Sequence, residues 1–168
     1  MSRRIMSMVV TALGVAVLTG DALSQQKSLK EQLIGAWDLV SIDSVRADGG
    51  RLTAFGDNPN GIAFFDITGH YIITVMRSDR ARYAVNERTR GTADENKATA
   101  QGTFTYFGTY TVSEPDHTIS IYVVGSSFPN WNETSQKRTF GVSGDQLKLT
   151  NPVASTGGTT EVVWKRAK

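Results

Sequence analysis

The sequence contains no cysteine. This absence excludes disulfide bonds, thiolate metal sites, a cysteine nucleophile and a lipid-modified N-terminal cysteine. The stability of the protein must therefore come from side-chain packing and hydrogen bonding. The formal net charge is only +2, which does not match the strongly basic surface that nucleic-acid binding requires. We expect no nucleic-acid partner.

Histidines and catalytic motifs are also scarce. The only histidines are His70 and His117, too few for a typical histidine-rich metal site, whereas carboxylate sites for hard cations stay open. The sequence has no Gly-x-Ser-x-Gly elbow, phosphate-binding loop, pair of metal-binding histidines or dinucleotide fingerprint. We therefore expect no metal, no cofactor and no catalytic residue that a motif would identify.

The N-terminal apolar run, Ile5–Leu18, is shorter than the roughly 20 residues that span a bilayer. Two arginines precede the run, and Ala22-Leu23-Ser24 places small residues where signal peptidase requires them. This order predicts a signal peptide over residues 1–24, a mature chain that begins near Gln25, and export to the periplasm or the exterior without a stable membrane anchor. Residues 25–168 have the length of one domain.

The rest of the sequence consists of short apolar or alternating segments separated by turn residues. Residues 62–67 and 71–77 are joined only by the tight turn Thr68-Gly69, so these two strands must be antiparallel. The other expected strands are 35–45, 104–112, 117–124, 136–142, 147–150 and 160–165. About eight short strands predict an all-β, antiparallel barrel or sandwich.

Two segments predict short helices. Leu29 and Leu33 form one apolar stripe before the first strand, and we expect this helix to plug one end of a barrel. Thr92 and Glu95 have the spacing of a capping box, which favours a helix over about 93–103. This helix would end a polar connection, residues 78–102, that is either a solvated loop or a lid over the barrel mouth.

Several segments together resemble one family. The opening segment Leu33-Ile34-Gly35-Ala36-Trp37-Asp38-Leu39-Val40-Ser41 resembles the first strand of lipocalins and fatty-acid-binding proteins, in which Gly-x-Trp begins the barrel. The segments that resemble bacterial and fungal lipocalin-like domain proteins are Phe55-Gly56 with Pro59 and Gly61, Met76-Arg77-Ser78-Asp79-Arg80, Tyr106-Phe107-Gly108-Thr109-Tyr110, Gly125-Ser126, Phe128-Pro129-Asn130-Trp131, Gln136-x-Arg138-x-Phe140 and Gly144-Asp145-x-Leu147-x-Leu149. The resemblance covers nearly all of residues 33–164.

The resemblance implies a lipocalin-like, calycin-type barrel and does not imply a single activity. It also implies that Trp37 closes the barrel floor, with a cation from Arg166 or Arg138 over its ring. Relatives tend to carry Tyr-Met after the turn glycine, where this sequence has His70-Tyr71. If His70 contacts the ligand, we expect the ligand preference to differ from that of these relatives.

Strand alternation selects candidate ligand contacts. Phe104, Tyr106 and Tyr110 share one face of their strand, with Gly108 at the place for a bulge or a close approach. Tyrosines on the inner face need hydroxyl partners, which a ligand can supply as well as the protein. Trp164 is expected to be part of the core.

Arg138 is the strongest candidate. Gln136 and Phe140 lie two residues to either side, so an inward Phe140 places all three side chains in the interior. A buried guanidinium needs a partner. We predict that Arg138 either stacks near Trp37 or receives the acidic or carbonyl end of a ligand. The possible protein counter-ions are Asp38, Asp43 and Asp66.

The loop Phe128-Pro129-Asn130-Trp131 places two large aromatic side chains between strands, where they either cap the core or border the pocket entrance. The candidate ligand-binding residues are therefore Arg138, Gln136, Phe140, Tyr106, Tyr110, Phe104, Trp131, Asn130 and His70.

Three functions remain open. The leading hypothesis is an exported binding or carrier protein for a small hydrophobic or amphipathic molecule. The second is a cofactor-free isomerase or cyclase, in which a tyrosine or His70 assists proton transfer. The third is a solid barrel that serves as an interaction module of the cell envelope, which predicts an interior without a cavity of roughly a few hundred Å³.

Overall fold

The computed structural model describes residues 27–53 and 55–168. The expected signal peptide and its cleavage site lie outside these residues. The α-helices of the described residues are α1 (Leu29–Leu33) and α2 (Ala93–Gln101). The strands are β1 (Gly35–Val45), β2 (Arg51–Leu52), β3 (Asn60–Phe65), β4 (His70–Met76), β5 (Thr103–Ser113), β6 (Thr118–Ser126), β7 (Thr134–Ser143), β8 (Gln146–Asn151) and β9 (Thr159–Arg166). Within the described residues, no helix is long and apolar enough to cross a membrane.

The strands form one closed antiparallel sheet. The order is β2-β1-β3-β4-β5-β6-β7-β8-β9, and β9 pairs back onto β1. Because β2 is a two-residue strand that pairs only with Ser44 and Val45 at the end of β1, the barrel itself has eight strands. The predicted antiparallel barrel of about eight strands with one or two short helices is confirmed.

A bulge in β1 changes which residues face inward. The register with β9 shifts between Leu39 and Ser41, so Val40 is the extra residue and is exposed. Trp37 faces inward before the bulge and Ser44 after it, and both are buried. One extra residue thus moves the inward face from odd to even positions, which brings Ser44 into the interior.

A second irregularity lies at Gly108, as the sequence predicted. The register between β5 and β6 shifts between Phe107 and Gly108, and a Cβ at Gly108 would overlap the carbonyl oxygen of Tyr122. Only glycine permits such a close approach of two backbones. Tyr106 and Tyr110 on either side are buried, so this face of β5 points inward along its length.

Helix α1 closes one end of the barrel. Leu33 and Trp37 are fully buried, and the Trp37 Nε1–H donates a hydrogen bond of 2.8 Å to the Leu33 carbonyl. The Arg166 guanidinium lies over the Trp37 ring and donates to the carbonyls of Gln32 and Ile34. The expected floor is therefore present, and Arg166 rather than Arg138 supplies its cation.

Helix α2 begins at the predicted capping box. The Thr92 hydroxyl accepts from the Glu95 backbone N–H, and the Glu95 carboxylate accepts from the Thr92 N–H in return. Glu95 also accepts from the Ala84 N–H at 2.7 Å, which attaches the preceding loop to the helix. No residue of α2 is buried.

Candidate functional site

A small cavity lies inside the barrel. Its volume is about 50 Å³, room for a few water molecules at most, and far below the roughly 300–1,000 Å³ of common drug-sized ligand pockets. Apolar side chains provide most of the wall. The polar residues at the wall are Ser44, Tyr106, Arg138, Asn151, Ser155, Thr156 and Thr160.

Arg138 is the charged residue of this wall. Alternation along β7 buries Arg138 and Phe140 on the same face, each at 5% exposure, as predicted. The Nη1 group donates a 2.7 Å hydrogen bond to the Tyr106 hydroxyl, and Nη2 donates a 2.9 Å bond to Gln136 Oε1. Both partners are neutral, so the positive charge has hydrogen bonds but no counter-charge.

Arg138 does not pair with the protein groups that the sequence suggested for it. Trp37 is covered by Arg166, and among the described residues no carboxylate forms an ion pair with Arg138. Asp43 instead pairs with Arg51. The candidate counter-ions lie on outward-facing or turn positions; they are Asp38, Asp43 and Asp66. The buried guanidinium packs on other aromatic rings instead.

These rings belong to β5 and to the loop before β7. The guanidinium carbon of Arg138 lies 5.1 Å from the centroid of Tyr106 and 5.5 Å from that of Trp131, within the range of cation–π contacts. Phe104 and Trp131 pack edge to face at 4.9 Å. The single helical turn Pro129–Trp131 thus folds one loop aromatic onto the core and into the cavity wall.

Three residues of the wall carry buried polar atoms without hydrogen-bond partners among the described residues. These atoms are Arg138 Nε, Trp164 Nε1 and Thr156 Oγ1. An unsatisfied buried polar group costs about 1–3 kcal/mol. Three such groups around one cavity are expensive for a protein unless another molecule satisfies them.

A family model described as the lipocalin-like domain matches residues 34–167. The chain belongs to this family. The match runs from the end of α1 to the end of β9 and covers the closed barrel. A comparison with curated proteins finds no significant match. A lipocalin-like barrel is in general suited to binding small molecules. In this barrel, the polar groups that face the interior lie around the cavity that Arg138 lines.

The lipocalin-like barrel brings together part of the predicted set. Arg138, Tyr106, Phe104 and Trp131 line the cavity. Gln136 reaches it through its bond to Arg138 and also borders a neighbouring surface groove.

The other predicted residues lie elsewhere. Phe140 is buried in the core outside the cavity wall, and Asn130 is exposed in the loop. The Tyr110 hydroxyl donates a 2.6 Å bond to the Asp66 carbonyl. His70 is exposed beside Thr68. Their part in ligand binding stays a prediction, without support from the cavity.

The sequence reasoning missed the contributions of β8, β9 and the loop between them. Trp164 was expected as core and is 1% exposed, yet its indole N–H has no partner. Alternation from Leu147 and from Trp164 would have placed Asn151 and Thr160 inside. Thr156 lies in an irregular loop and carries no such pattern.

Tyr71 is a further buried group near the site. Its ring packs on Tyr106 at 5.9 Å, and its hydroxyl has no partner in the described structure. Burial raises the pKa of Tyr71, and the neighbouring Tyr106 raises it further, whereas the charge of Arg138 lowers it. The net shift is upward, so Tyr71 stays a neutral phenol.

Proposed function

We propose that this lipocalin-like protein binds a small molecule in its barrel and carries it outside the cytoplasm. The observation that supports the proposal most is Arg138, a buried guanidinium with only neutral partners. A buried charge is costly unless it is paired. A ligand with an acidic or carbonyl group would supply the missing partner.

The size of the cavity limits the ligand. A volume of about 50 Å³ accepts a compact group and not a lipid chain laid along the barrel axis. The proposal therefore concerns a small molecule, or the polar end of a larger one that reaches the cavity between the loops.

The carrier role also requires export. The motivation is the order of basic, apolar and small residues within 1–24. N-terminal sequencing of protein recovered from the periplasm or medium should give a chain that begins near Gln25. A different start, or protein retained in the cytoplasm, would remove the carrier role while leaving ligand binding untouched.

Ligand binding is tested on the purified barrel. Native mass spectrometry and titration with small amphipathic probes should show a bound molecule. The variant Arg138→Leu should weaken probe binding by about 1.5–3 kcal/mol, the range for a charge-assisted hydrogen bond, while circular dichroism shows a folded barrel. Arg82→Leu is the matched control, because Arg82 is exposed and lies outside the cavity wall. Unchanged affinity in the Arg138 variant would contradict the proposal.

A second candidate is the solid interaction module, which the small cavity favours. Its additional support is an apolar band on the outer face, where Phe64 pairs with Ile72, and Ile72 with Phe107. All three side chains are more than two-fifths exposed. This candidate predicts that no small probe binds the purified protein, whereas specific uptake of a probe would exclude it as the main function.

A further inference from the structure

We infer that the group taken into the cavity is the carboxylate of a compact monocarboxylic acid. This inference rests on the proposed function, because it names the class of ligand for the same site. It is carried by the kind of polar atoms left unsatisfied and by the size of the space beside them.

The unsatisfied atoms are donors. Arg138 Nε and Trp164 Nε1 can only donate a hydrogen bond, and the Thr156 hydroxyl can donate or accept. A ligand that brings further donors leaves both N–H groups unpaired. A carboxylate brings only acceptors, with two oxygens and about four lone-pair positions.

Several other polar groups of the wall already form hydrogen bonds within the protein. The hydroxyls of Ser44 and Thr160 bond to each other at 2.7 Å. Asn151 Oδ1 accepts from the Val153 N–H, and the Tyr106 hydroxyl accepts from Arg138. The groups left without a partner therefore include two N–H groups, on Arg138 and Trp164, that can only donate.

The positive charge of Arg138 also favours a carboxylate. Arg138 is the charged residue of the wall, and no carboxylate of the described residues pairs with it. One negative charge neutralises the site. A second carboxylate on the ligand would face the apolar wall formed by side chains such as Ile73 and Val75, where an unpaired charge is strongly disfavoured.

The volume selects the rest of the ligand. The cavity of about 50 Å³ has room for a few water-sized heavy atoms, which suits a carboxylate on a short aliphatic group, as in acetate or propionate. The rings of Phe104 and Trp131 at the wall provide apolar surface for that alkyl group. A long acyl chain does not fit into a cavity of this size.

Matched probes test the inference on the wild-type protein. Propionate, propionamide and 1-propanol share one ethyl group and differ in charge and donors, and palmitate tests length. Isothermal titration at neutral pH should show propionate at least about tenfold tighter than both neutral probes, and tighter than palmitate. Equal binding of neutral and charged probes, or preference for palmitate, would overturn the inference and leave the proposed function standing. If none of the four probes binds, the inference fails, whereas the native mass spectrometry described above decides the proposed function.

Two single-site variants locate the carboxylate. Trp164→Phe keeps a ring and removes the N–H, and Thr156→Val removes the hydroxyl at similar size. Each should weaken propionate binding by about tenfold and change propionamide binding much less. Thr111→Val, on the exposed outer face of β5, is the control. If Trp164→Phe does not fold, the indole N–H resonance of Trp164 in the wild type replaces it: propionate should shift that resonance, and an unmoved resonance would contradict the assignment.

Discussion

The guanidinium carbon of Arg166 lies 4.1 Å from the centroid of the Trp37 ring. The same guanidinium donates to the carbonyls of Gln32 and Ile34 at the end of α1. Arg166 thus joins the last strand, the first strand and the helix that closes the barrel. Replacing it removes a cation–π contact and two charge-assisted hydrogen bonds together.

We predict that Arg166→Met lowers the free energy of unfolding by about 2–4 kcal/mol. Arg166→Lys should recover only part of this loss, because an ammonium group cannot reproduce the planar fork that bonds both carbonyls. Urea denaturation followed by tryptophan fluorescence measures both effects. A methionine variant as stable as the wild type would show that α1 and the sheet hold the closed end without Arg166.

Two buried tyrosines should respond in opposite ways to loss of the hydroxyl. The Tyr71 hydroxyl has no partner among the described residues, so Tyr71→Phe should leave stability unchanged or raise it slightly. The Tyr110 hydroxyl donates to the Asp66 carbonyl at 2.6 Å, so Tyr110→Phe should cost about 0.5–1.5 kcal/mol. Parallel denaturation curves compare the pair, and a larger loss for Tyr71→Phe would reveal a partner for its hydroxyl.

The Glu95 carboxylate at the start of α2 should make the free energy of unfolding depend on pH in the acidic range. The backbone N–H groups of Ala84 and Thr92 hold the pKa of Glu95 below its ordinary value of 4.5. A lowered folded-state pKa means that the contribution is complete above about pH 4.5 and is lost as the pH falls through the folded value. Denaturation between pH 6 and about pH 3 should show this decline, and Glu95→Gln should make it shallower than in the wild type, in which Glu31, Asp66 and Asp79 also have lowered pKa values. Glu133→Gln, outside the capping box, should decline like the wild type.

Two glycines in the sheet should differ sharply in their tolerance of alanine. A Cβ at Gly108 would overlap the Tyr122 carbonyl, whereas a Cβ at Gly141 has no atom within 4 Å. Gly108→Ala should therefore cost several times as much as an ordinary surface change, at about 2–4 kcal/mol. Gly141→Ala should be neutral or stabilising, since alanine restricts the unfolded chain. Equal melting temperatures would show that the β5–β6 bulge relaxes easily.

The sequence could predict much of the fold because local chemistry marks it. Residues 35–45 form the expected strand, and the turn residues Asp48-Gly49-Gly50 follow its end. Thr92 and Glu95 form the expected capping box at the start of α2. The β1 bulge at Val40 was not predicted. It depends on how β1 meets β9, which no local pattern records.

The candidate site was less accessible to sequence reasoning. Alternation predicted that Arg138 points inward, but the identity of its neighbours depends on the stagger of strands around the barrel. The aromatic partners of Arg138 are therefore Tyr106 and Trp131 rather than Trp37. The size of the cavity depends on packing details of a fraction of an ångström, and the unpartnered N–H of Trp164 becomes visible only once those details are known.

The pairing of β1 with β9 also has a kinetic consequence. It joins the two most distant strands of the domain, so the chain must lose a large amount of entropy before this ladder forms. We expect the barrel to close last and slowly, after the hairpins from β3 to β9 are in place. Until closure, β1 and β9 each present an unpaired edge that can capture another chain. Dilute conditions should therefore favour refolding over aggregation.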